Sequence, residues 1–279
     1  MITYRATLDV ADELALYLSR LLVAERRRRG TRRGRRVLTP FQQAVLGLRW
    51  FRHRTPIPVL ARDHRISRAT GYRYIDEVIT VLAAQAPDLH QALMDAARRG
   101  VPHVILDGTL ITCDRLGEKT VSKKGRQVHR WFSGKHQRHG GTVLLLTDHT
   151  GFPLWSSPVE PGRVHDLTAA EHHVLGALYW AASQLRLPTL ADGGFQGAGI
   201  GVHTPVKHSK SAPRRSPLHP DNRTYNTLLT SLRAQGERGI ALLTQRWRTL
   251  QHITTSPRKI TAILQAALTL THHEHNQPH

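Results

Sequence analysis

The hydrophobic pattern of this 279-residue chain changes its period near residue 103. Before that point apolar residues such as Leu14, Leu18 and Leu21 recur at helical spacing, whereas "HVILDGTLITCD" after it is the nearly continuous apolar run of a buried strand. Because helices and strands impose different periods on the chain, this change predicts an all-helical N-terminal part followed by a mixed α/β part.

The helical part begins with an amphipathic helix over residues 8–29. It runs into "ERRRRGTRRGRR", where nothing apolar is available for burial, so we expect a mobile or phosphate-contacting segment, with a solvated linker as the alternative. A second helix is expected at "LTPFQ", because Thr39 and Gln42 match a capping box and Pro40 suits the first helical position.

The stretch "TPIPVLARDHRISRATGYRYIDEVITVLAA" predicts a short helix around Leu60, a tight turn, and a second helix capped by Ser67. Tyr72 and Ile75 are expected on the buried face of that second helix. Such a pair fits a helix-turn-helix, although helical hairpins without a role in DNA binding look similar. The residues expected to face a DNA major groove and its phosphates are Arg68, Thr70, Gly71 and Arg73.

The charge of the chain favours a polyanionic partner. Lys and Arg number 40 against 20 Asp and Glu, which gives a formal net charge of +20 and a pI near 11.3. A surface this basic attracts nucleic acid and releases counterions on binding it. We therefore expect double-stranded DNA as the partner.

The single cysteine, Cys113, has no internal disulfide partner and is expected to be a small buried residue in a reducing compartment. No apolar stretch approaches the ~18 residues that a membrane helix needs. These features predict a cytoplasmic, nucleoid-associated protein with no membrane partner.

From residue 103 onward, four strand-like runs are separated by helical segments. We expect three strands that pair as a meander, a helix from about Leu167, a fourth strand, and a long helix from about Asn222 to Leu250. The predicted strands cover residues 103–114, 127–134, 141–151 and 187–195. The predicted segments of the whole chain are 1–37 (N-terminal helix and arginine-rich segment), 38–101 (helix-turn-helix domain), 102–270 (α/β domain) and 271–279 (polar tail).

Two acids stand at the predicted ends of strands, each directly before glycine: Asp107 in "LDG" and Asp192 in "ADGG". Glu237 lies on the predicted long helix from about Asn222 to Leu250. Carboxylates that converge at a sheet edge repel one another unless cations bind between them, and such oxygen ligands select Mg²⁺ or Mn²⁺. The pattern suggests a two-metal phosphoryl-transfer site. The alternative is that both aspartates cap turns and that Glu237 forms a surface ion pair.

Six motifs in order, "LDGTLITCDR", "WFSGKHQRHG", "VEPGRVHDLTAA", "LADGGFQGAG", "HTPVK" and "LRAQGERGIALLTQRWRTL", resemble the DDE transposases of bacterial insertion sequences. The resemblance is to the branch that joins an N-terminal helix-turn-helix to a DDE-superfamily endonuclease domain, and it extends from about residue 38 to 270. It implies a ribonuclease-H-like mixed-sheet domain and metal-dependent cleavage and strand transfer at the ends of the element. By motif, the implied triad is Asp107, Asp192 and Glu237, holding two Mg²⁺ or Mn²⁺ ions, and the implied assembly is a homo-oligomer that pairs two DNA ends.

Asp166 in "PGRVHD" competes with Asp192 for the second place in the triad, but it precedes a helix, whereas the family's second aspartate follows the fourth strand. We expect His165 and Asp166 to support the site. Asp114 and Asp148 are expected to be ordinary turn acids. The residues expected to contact a substrate phosphate are Ser133, Lys135, His136, Arg138 and Lys207.

Other functions remain possible from the residues alone. A helix-turn-helix regulator needs the charge and the helices without the three acids, and a transposase relic keeps the fold without the activity. A general RNA-binding protein is a more distant possibility. A histidine metal site in the tail "THHEHNQPH" is less favoured than a frayed polar end.

Overall fold

The computed structural model describes residues 8–32, 34–122, 125–208 and 218–275. The chain divides into two compact units. The first comprises Met1–Ala86, Leu243–His252 and Ala262–His279, and the second comprises Pro87–Leu242 and Ile253–Thr261. Residues 1–7 of the predicted N-terminal segment and 276–279 of the predicted tail lie outside the described residues.

The first unit is helical. Its N-terminal part contains helices α1 (Asp12–Arg28), α2 (Pro40–His53), α3 (Ile57–Asp63) and α4 (Arg68–Ala83). The predicted capping box at the start of α2 is confirmed. The Thr39 hydroxyl accepts from the Gln42 backbone N–H at 3.2 Å, and the Gln42 side chain accepts from the Thr39 N–H at 2.9 Å.

The arginine-rich segment was expected to be mobile or to contact phosphate, and part of it is instead ordered by contacts within the protein. Arg26 donates to the Leu38 carbonyl at 3.0 Å and to the Gln43 side chain at 2.8 Å, and Arg36 donates to Glu77 at 3.0 Å. Glu77 is only 4% exposed. A carboxylate buried to this extent needs a cationic or hydrogen-bonding partner, and this requirement orders part of the segment.

Ser67 caps α4 as predicted, because its hydroxyl accepts from the Thr70 N–H at 3.2 Å. Two predictions for this helix are wrong. Tyr72 is exposed, and Tyr74 takes the buried position instead. Gly71 does not face outward: a Cβ at this position would lie 3.1 Å from Ala61 Cβ and 3.3 Å from Ile57 Cγ2. Gly71 therefore marks the close crossing of α3 and α4.

The second unit is built on a seven-stranded mixed sheet. The central strand β1 (Val104–Thr112) pairs with β5 (Arg138–Asp148) in antiparallel and with β8 (Thr189–Ala191) in parallel orientation, and β9 (Val202–His203) extends the parallel side. Strands β4 (Phe132–Ser133), β6 (Pro153–Ser156) and β7 (Glu160–Pro161) pair with β5, while β2 (Lys119–Val121) and β3 (Gln127–His129) form a separate small sheet. The predicted mixed α/β class is confirmed, and the mixed sheet is consistent with a ribonuclease-H-like domain.

Helices cover both faces of this sheet. Helices α5 (Leu89–Arg98), α6 (Asp166–His173) and α7 (Leu175–Gln184) pack in one core cluster with inward residues of the strands such as Leu106 and Leu146. On the other face, Ile105 and Leu190 pack against Leu229 of α8 (Pro220–Arg233). Helix α9 (Gly236–Arg246) follows α8, and α10 (Ile260–Glu274) ends the described chain.

Four predicted boundaries differ from the structure. Helix α5 belongs with the sheet and not with the N-terminal helices, because its apolar face packs in the core cluster of the second unit. Most of α10 belongs to the first unit, and Thr271 and His272 of the predicted polar tail are buried. The predicted strand 127–134 is divided between β3 and β4, and the predicted long helix 222–250 is divided between α8 and α9.

Several smaller predictions are confirmed. Cys113 is buried. Asp148 is a turn acid that accepts from the N–H groups of Thr150 and Phe152 at 2.8 and 3.0 Å. Within the described ranges, the chain contains no helix that is both long enough and apolar enough to cross a membrane.

Candidate active site

The two aspartates lie on neighbouring strands of the second unit. In the parallel pairing of β1 with β8, Leu106 stands opposite Ala191, so Asp107 and Asp192 each occupy the next position along the chain. The sequence predicted Asp107 at the end of its strand, and this prediction is wrong, because pairing of β1 with β5 continues to Thr112. It stands where the parallel pairing stops, and this is why Asp192 comes close to it.

The neighbouring charges affect the ionisation of Asp107. Desolvation by burial raises the pKa of Asp107, and the charge of Asp192 raises it further, with a smaller contribution from Asp166. Arg233 in the last turn of α8 and the backbone N–H of Gly108 act in the opposite direction on this pKa. The site therefore holds a partly buried carboxylate whose ionisation is opposed by like charges.

Asp192 also caps a turn. Its Oδ1 accepts from the Gly194 N–H at 2.8 Å, at the start of a short 3₁₀ helix. The alternative interpretation of Asp192 as a turn cap thus describes one of its contacts. The hydrogen bond orients the carboxylate while its charge still acts on Asp107 and on Lys135.

Asp166 is the first residue of α6 and is 8% exposed. Its carboxylate lies against the backbone of β1, since a Cβ on Gly108 would be 2.7 Å from Asp166 Cγ. A Cβ on Gly194 would be 2.8 Å from Asp192 Oδ1 and 3.5 Å from Asp166 Oδ2. Gly194 therefore lies between two of the three carboxylates, and only a residue without a side chain fits there.

Two lysines adjoin the three aspartates. Lys135 Nζ donates to Asp166 Oδ2 at 2.9 Å. This hydrogen bond raises the pKa of Lys135, partial burial opposes it, and the charges of Asp166, Asp192 and Asp107 also raise it. Lys207 Nζ donates to the Gly193 carbonyl at 2.6 Å, directly after Asp192. Two of the cations predicted to contact phosphate are thus beside the acids.

The remaining residues predicted near this site differ in burial and in the element that carries them. Ser133 is buried, and its hydroxyl accepts from the His136 N–H at 3.4 Å, which is a contact within the turn between β4 and β5. His136 is exposed on the same turn, and Arg138 is exposed at the start of β5. His165 caps α6, because its Nδ1 accepts from the Leu167 N–H at 3.3 Å.

Glu237 lies in the first turn of α9 and is exposed. The preceding residue, Gly236, packs on the sheet, where a Cβ would be 2.7 Å from Ile105 Cγ2. Ile105 and Asp107 share one face of β1, because successive strand residues alternate between faces. The start of α9 therefore covers the face that carries Asp107, whereas Asp166 lies against Gly108 on the opposite face.

Sequence reasoning missed one charged group and underrated another. Arg233 was considered only as one of the arginines flanking Glu237 that could form a surface ion pair with it, although its charge acts on Asp107. Asp166 was expected to support the site, and the structure places it among the acids themselves. The signal available for Asp166 was its position at a helix start after "PGRVH", which does not reveal what that helix start touches.

The residues predicted to face DNA lie in the first unit, at the start of α4. Arg68, Thr70 and Arg73 are not buried, and Arg73 donates to the Thr70 hydroxyl at 3.0 Å. The Arg68 guanidinium lies 5.7 Å from the centre of the exposed Tyr72 ring. A cavity of about 510 Å³ beside this surface is lined by Thr70 and by arginines of both α4 and the arginine-rich segment: Arg29, Arg35, Arg36 and Arg73.

Comparison with known proteins was made at three levels. Searches of curated proteins and of solved structures each found no significant match. A family model described as DDE superfamily endonuclease matches residues 106–272, more than half of the chain, and the match contains all three aspartates and Glu237. The chain therefore belongs to the DDE superfamily endonuclease family.

Proposed function

We propose that this protein is a transposase that binds the ends of a DNA element and catalyses metal-dependent cleavage and strand transfer of phosphodiesters. The observation that carries the proposal is the juxtaposition of Asp107 and Asp192 on neighbouring strands, with lysines beside them. Family membership implies a DNA substrate for such a site. The net charge of +20 supports the same partner.

The residues present fit a hard divalent cation. Carboxylate oxygens are the ligands that Mg²⁺ and Mn²⁺ prefer, and the repulsion that raises the pKa of Asp107 is relieved when a cation binds. Asp107, Asp192 and Glu237 would hold the metal, two ions in our proposal. When bound, the ions supply activation of the attacking oxygen and stabilisation of the leaving oxygen.

The cations of the chain position the substrate. Lys207 is held at the backbone carbonyl that follows Asp192, so its ammonium group stands beside the acid. His136 is exposed on the turn that carries Lys135, Arg138 is exposed at the start of the following strand β5, and we assign both to the DNA backbone. Lys135 donates to Asp166, which keeps the charge of Lys135 at the acids and joins the start of α6 to the turn between β4 and β5.

Glu237 and Asp166 are both candidates for the third acid. The family motif and the shared face of β1 favour Glu237, while proximity to the other charges favours Asp166. We propose Glu237 as the third ligand and Asp166, with His165 as its helix cap, as positioning residues. Glu237→Gln should then abolish cleavage, and Asp166→Asn should only slow it. Glu171→Gln, an exposed change on α6, is the matched control. The reverse order of the two effects would assign the ligand role to Asp166.

We further propose that α3 and α4 act as a helix-turn-helix. The chain passes between them through Arg65, whose φ of 52° gives the tight turn without glycine. Arg68, Thr70 and Arg73 would meet the major groove and its phosphates, and the buried Gly71 only permits the close crossing of the helices. We also propose that the protein forms a homo-oligomer that pairs two DNA ends and that it is located on the nucleoid.

The deciding experiment is strand cleavage of DNA carrying the sequence that flanks the gene, in Mg²⁺ or Mn²⁺, by the wild type and by Asp192→Asn. We expect cuts at a repeat boundary from the wild type alone, with DNA binding retained by the variant. The exposed position of Glu237 in the first turn of α9 favours a second candidate: a DNA-binding relic or regulator. Tight binding without cleavage by either protein would support that candidate and reject the nuclease.

A further inference from the structure

A second group of potential metal ligands lies at the other end of α6. Glu160 belongs to the edge strand β7, and His172 and His173 lie in the last turn of α6. Their ligand atoms all lie within 4.8 Å of one another. Glu160 Oε1 is 2.8 Å from His173 Nε2 and 3.4 Å from His172 Nδ1.

These separations suit a small tetrahedral ion. With metal–ligand bonds of about 2.0 to 2.1 Å, neighbouring ligand atoms of a tetrahedral zinc site stand about 3.3 Å apart. The distance of 3.4 Å from the Glu160 oxygen to His172 matches that value, and the distance of 2.8 Å to His173 would have to open by about 0.5 Å, so an ion could replace the hydrogen bonds with a small movement of the side chains. Two imidazoles and one carboxylate also form a known ligand set for zinc, whereas Mg²⁺ prefers oxygen alone.

The surroundings favour a cation as well. The C-terminal end of a helix carries a partial negative charge, and both histidines are at that end of α6. The Glu160 backbone is held in the sheet by pairing with Thr142 of β5. His173 and Glu160 are each 20% exposed as side chains and His172 is 56% exposed, so the group opens to solvent on the His172 side. A water molecule can complete four-coordination from there.

We propose that Glu160, His172 and His173 bind one zinc-class transition-metal ion that fastens the end of α6 to the edge of the sheet. This ion is distinct from the divalent ions proposed at Asp107 and Asp192. Asp166 and His173 are the first and last residues of α6, seven positions apart, which corresponds to a rise of about 10 Å. The ion would hold the C-terminal end of the helix whose first residue, Asp166, lies against β1. Its role is structural.

The test is calorimetric titration of the full-length, metal-stripped protein with ZnCl₂. We expect one tight site in the wild type, weakened at least ~100-fold in Glu160→Gln and in His173→Gln, because each removes a ligand. His275→Gln, which changes a histidine of the C-terminal tail, should bind as the wild type does. A titration with MgCl₂ should show no saturation of this site.

Thermal unfolding provides the second readout. Zinc should raise the melting temperature of the wild type and of His275→Gln, and it should leave that of Glu160→Gln unchanged. Since the comparison is between zinc-loaded and zinc-free samples of one variant, loss of the Glu160 hydrogen bonds does not affect it. Tight zinc binding retained by both ligand variants, or no tight site in the wild type, would overturn the proposal. Neither result depends on DNA cleavage.

Discussion

Replacing Gly108 by alanine should displace the Asp166 carboxylate from the candidate active site. A Cβ at this position would lie 2.7 Å from both Asp166 Cγ and Asp166 Oδ1, whereas ordinary contacts begin at 3.4 Å. The carboxylate must therefore retreat by about 0.7 Å. Its hydrogen bond to Lys135, now 2.9 Å long, would have to lengthen or reorient.

The size of the effect follows from this movement. A misplacement of about 1 Å near reacting groups can cost ~10²-fold in rate, so we expect cleavage to slow by roughly ten- to a hundredfold. Overpacking of a buried site also costs about 1 to 3 kcal/mol of unfolding free energy. Gly117→Ala is the matched control, because its added methyl group would meet nothing within 4 Å.

The assay is a double-mutant cycle on the rate of DNA cleavage and on stability to urea. If Gly108→Ala acts through Asp166, its cost should vanish in an Asp166→Ala background, where the clashing carboxylate is absent. The stability arm remains readable even if the wild type does not cleave DNA. The reasoning is refuted if Gly108→Ala is as stable and as active as the wild type, or if its cost persists in full without the Asp166 side chain.

Three further predictions concern residues outside the acids. Trp247→Phe should lower the unfolding free energy by about 1 to 3 kcal/mol in urea denaturation, because the buried indole N–H donates to the Thr271 hydroxyl at 2.8 Å; a loss near zero would contradict this contact. Burial raises the pKa of Cys113 to about 11, so at pH 8 only about one thiol in a thousand is a thiolate. Alkylation should be slow in the native protein and fast in urea, and equal rates would show that the thiol is accessible. Arg73→Ala should weaken DNA binding and reduce the salt dependence by about one counterion, whereas equal salt slopes would remove this arginine from the interface.

Local features of the site and of the helix ends were predictable from the sequence. The caps at Thr39 and Ser67 were predictable because a capping side chain binds a backbone N–H three residues away. The strand that carries Asp107 was predictable from its unbroken apolar run. The family motifs also supplied the order of the acids, since the match of residues 106–272 contains them.

Features that depend on long-range packing could not be predicted. Nothing near Gly71 in the sequence shows that α3 crosses α4 there, so its outward orientation was wrong. Helix α5 has the same local pattern whether it packs on helices or on a sheet, and the domain boundary was misplaced for that reason. The predicted long helix is divided between α8 and α9 beside the contact of Gly236 with Ile105, a residue of β1 far away in the sequence.

By itself, the sequence determined the mixed α/β class, the strongly basic charge, and the placement of Asp107 in a strand and of Asp192 directly after one. These depend on composition, on period and on the chain direction of each strand. Only the tertiary structure decided that Asp166 joins those aspartates and that Glu160 meets two histidines. The physical reason is that the start of α6 contacts β1, a strand distant in sequence, while its end turns back to β7, and a helix start or end does not encode its neighbour.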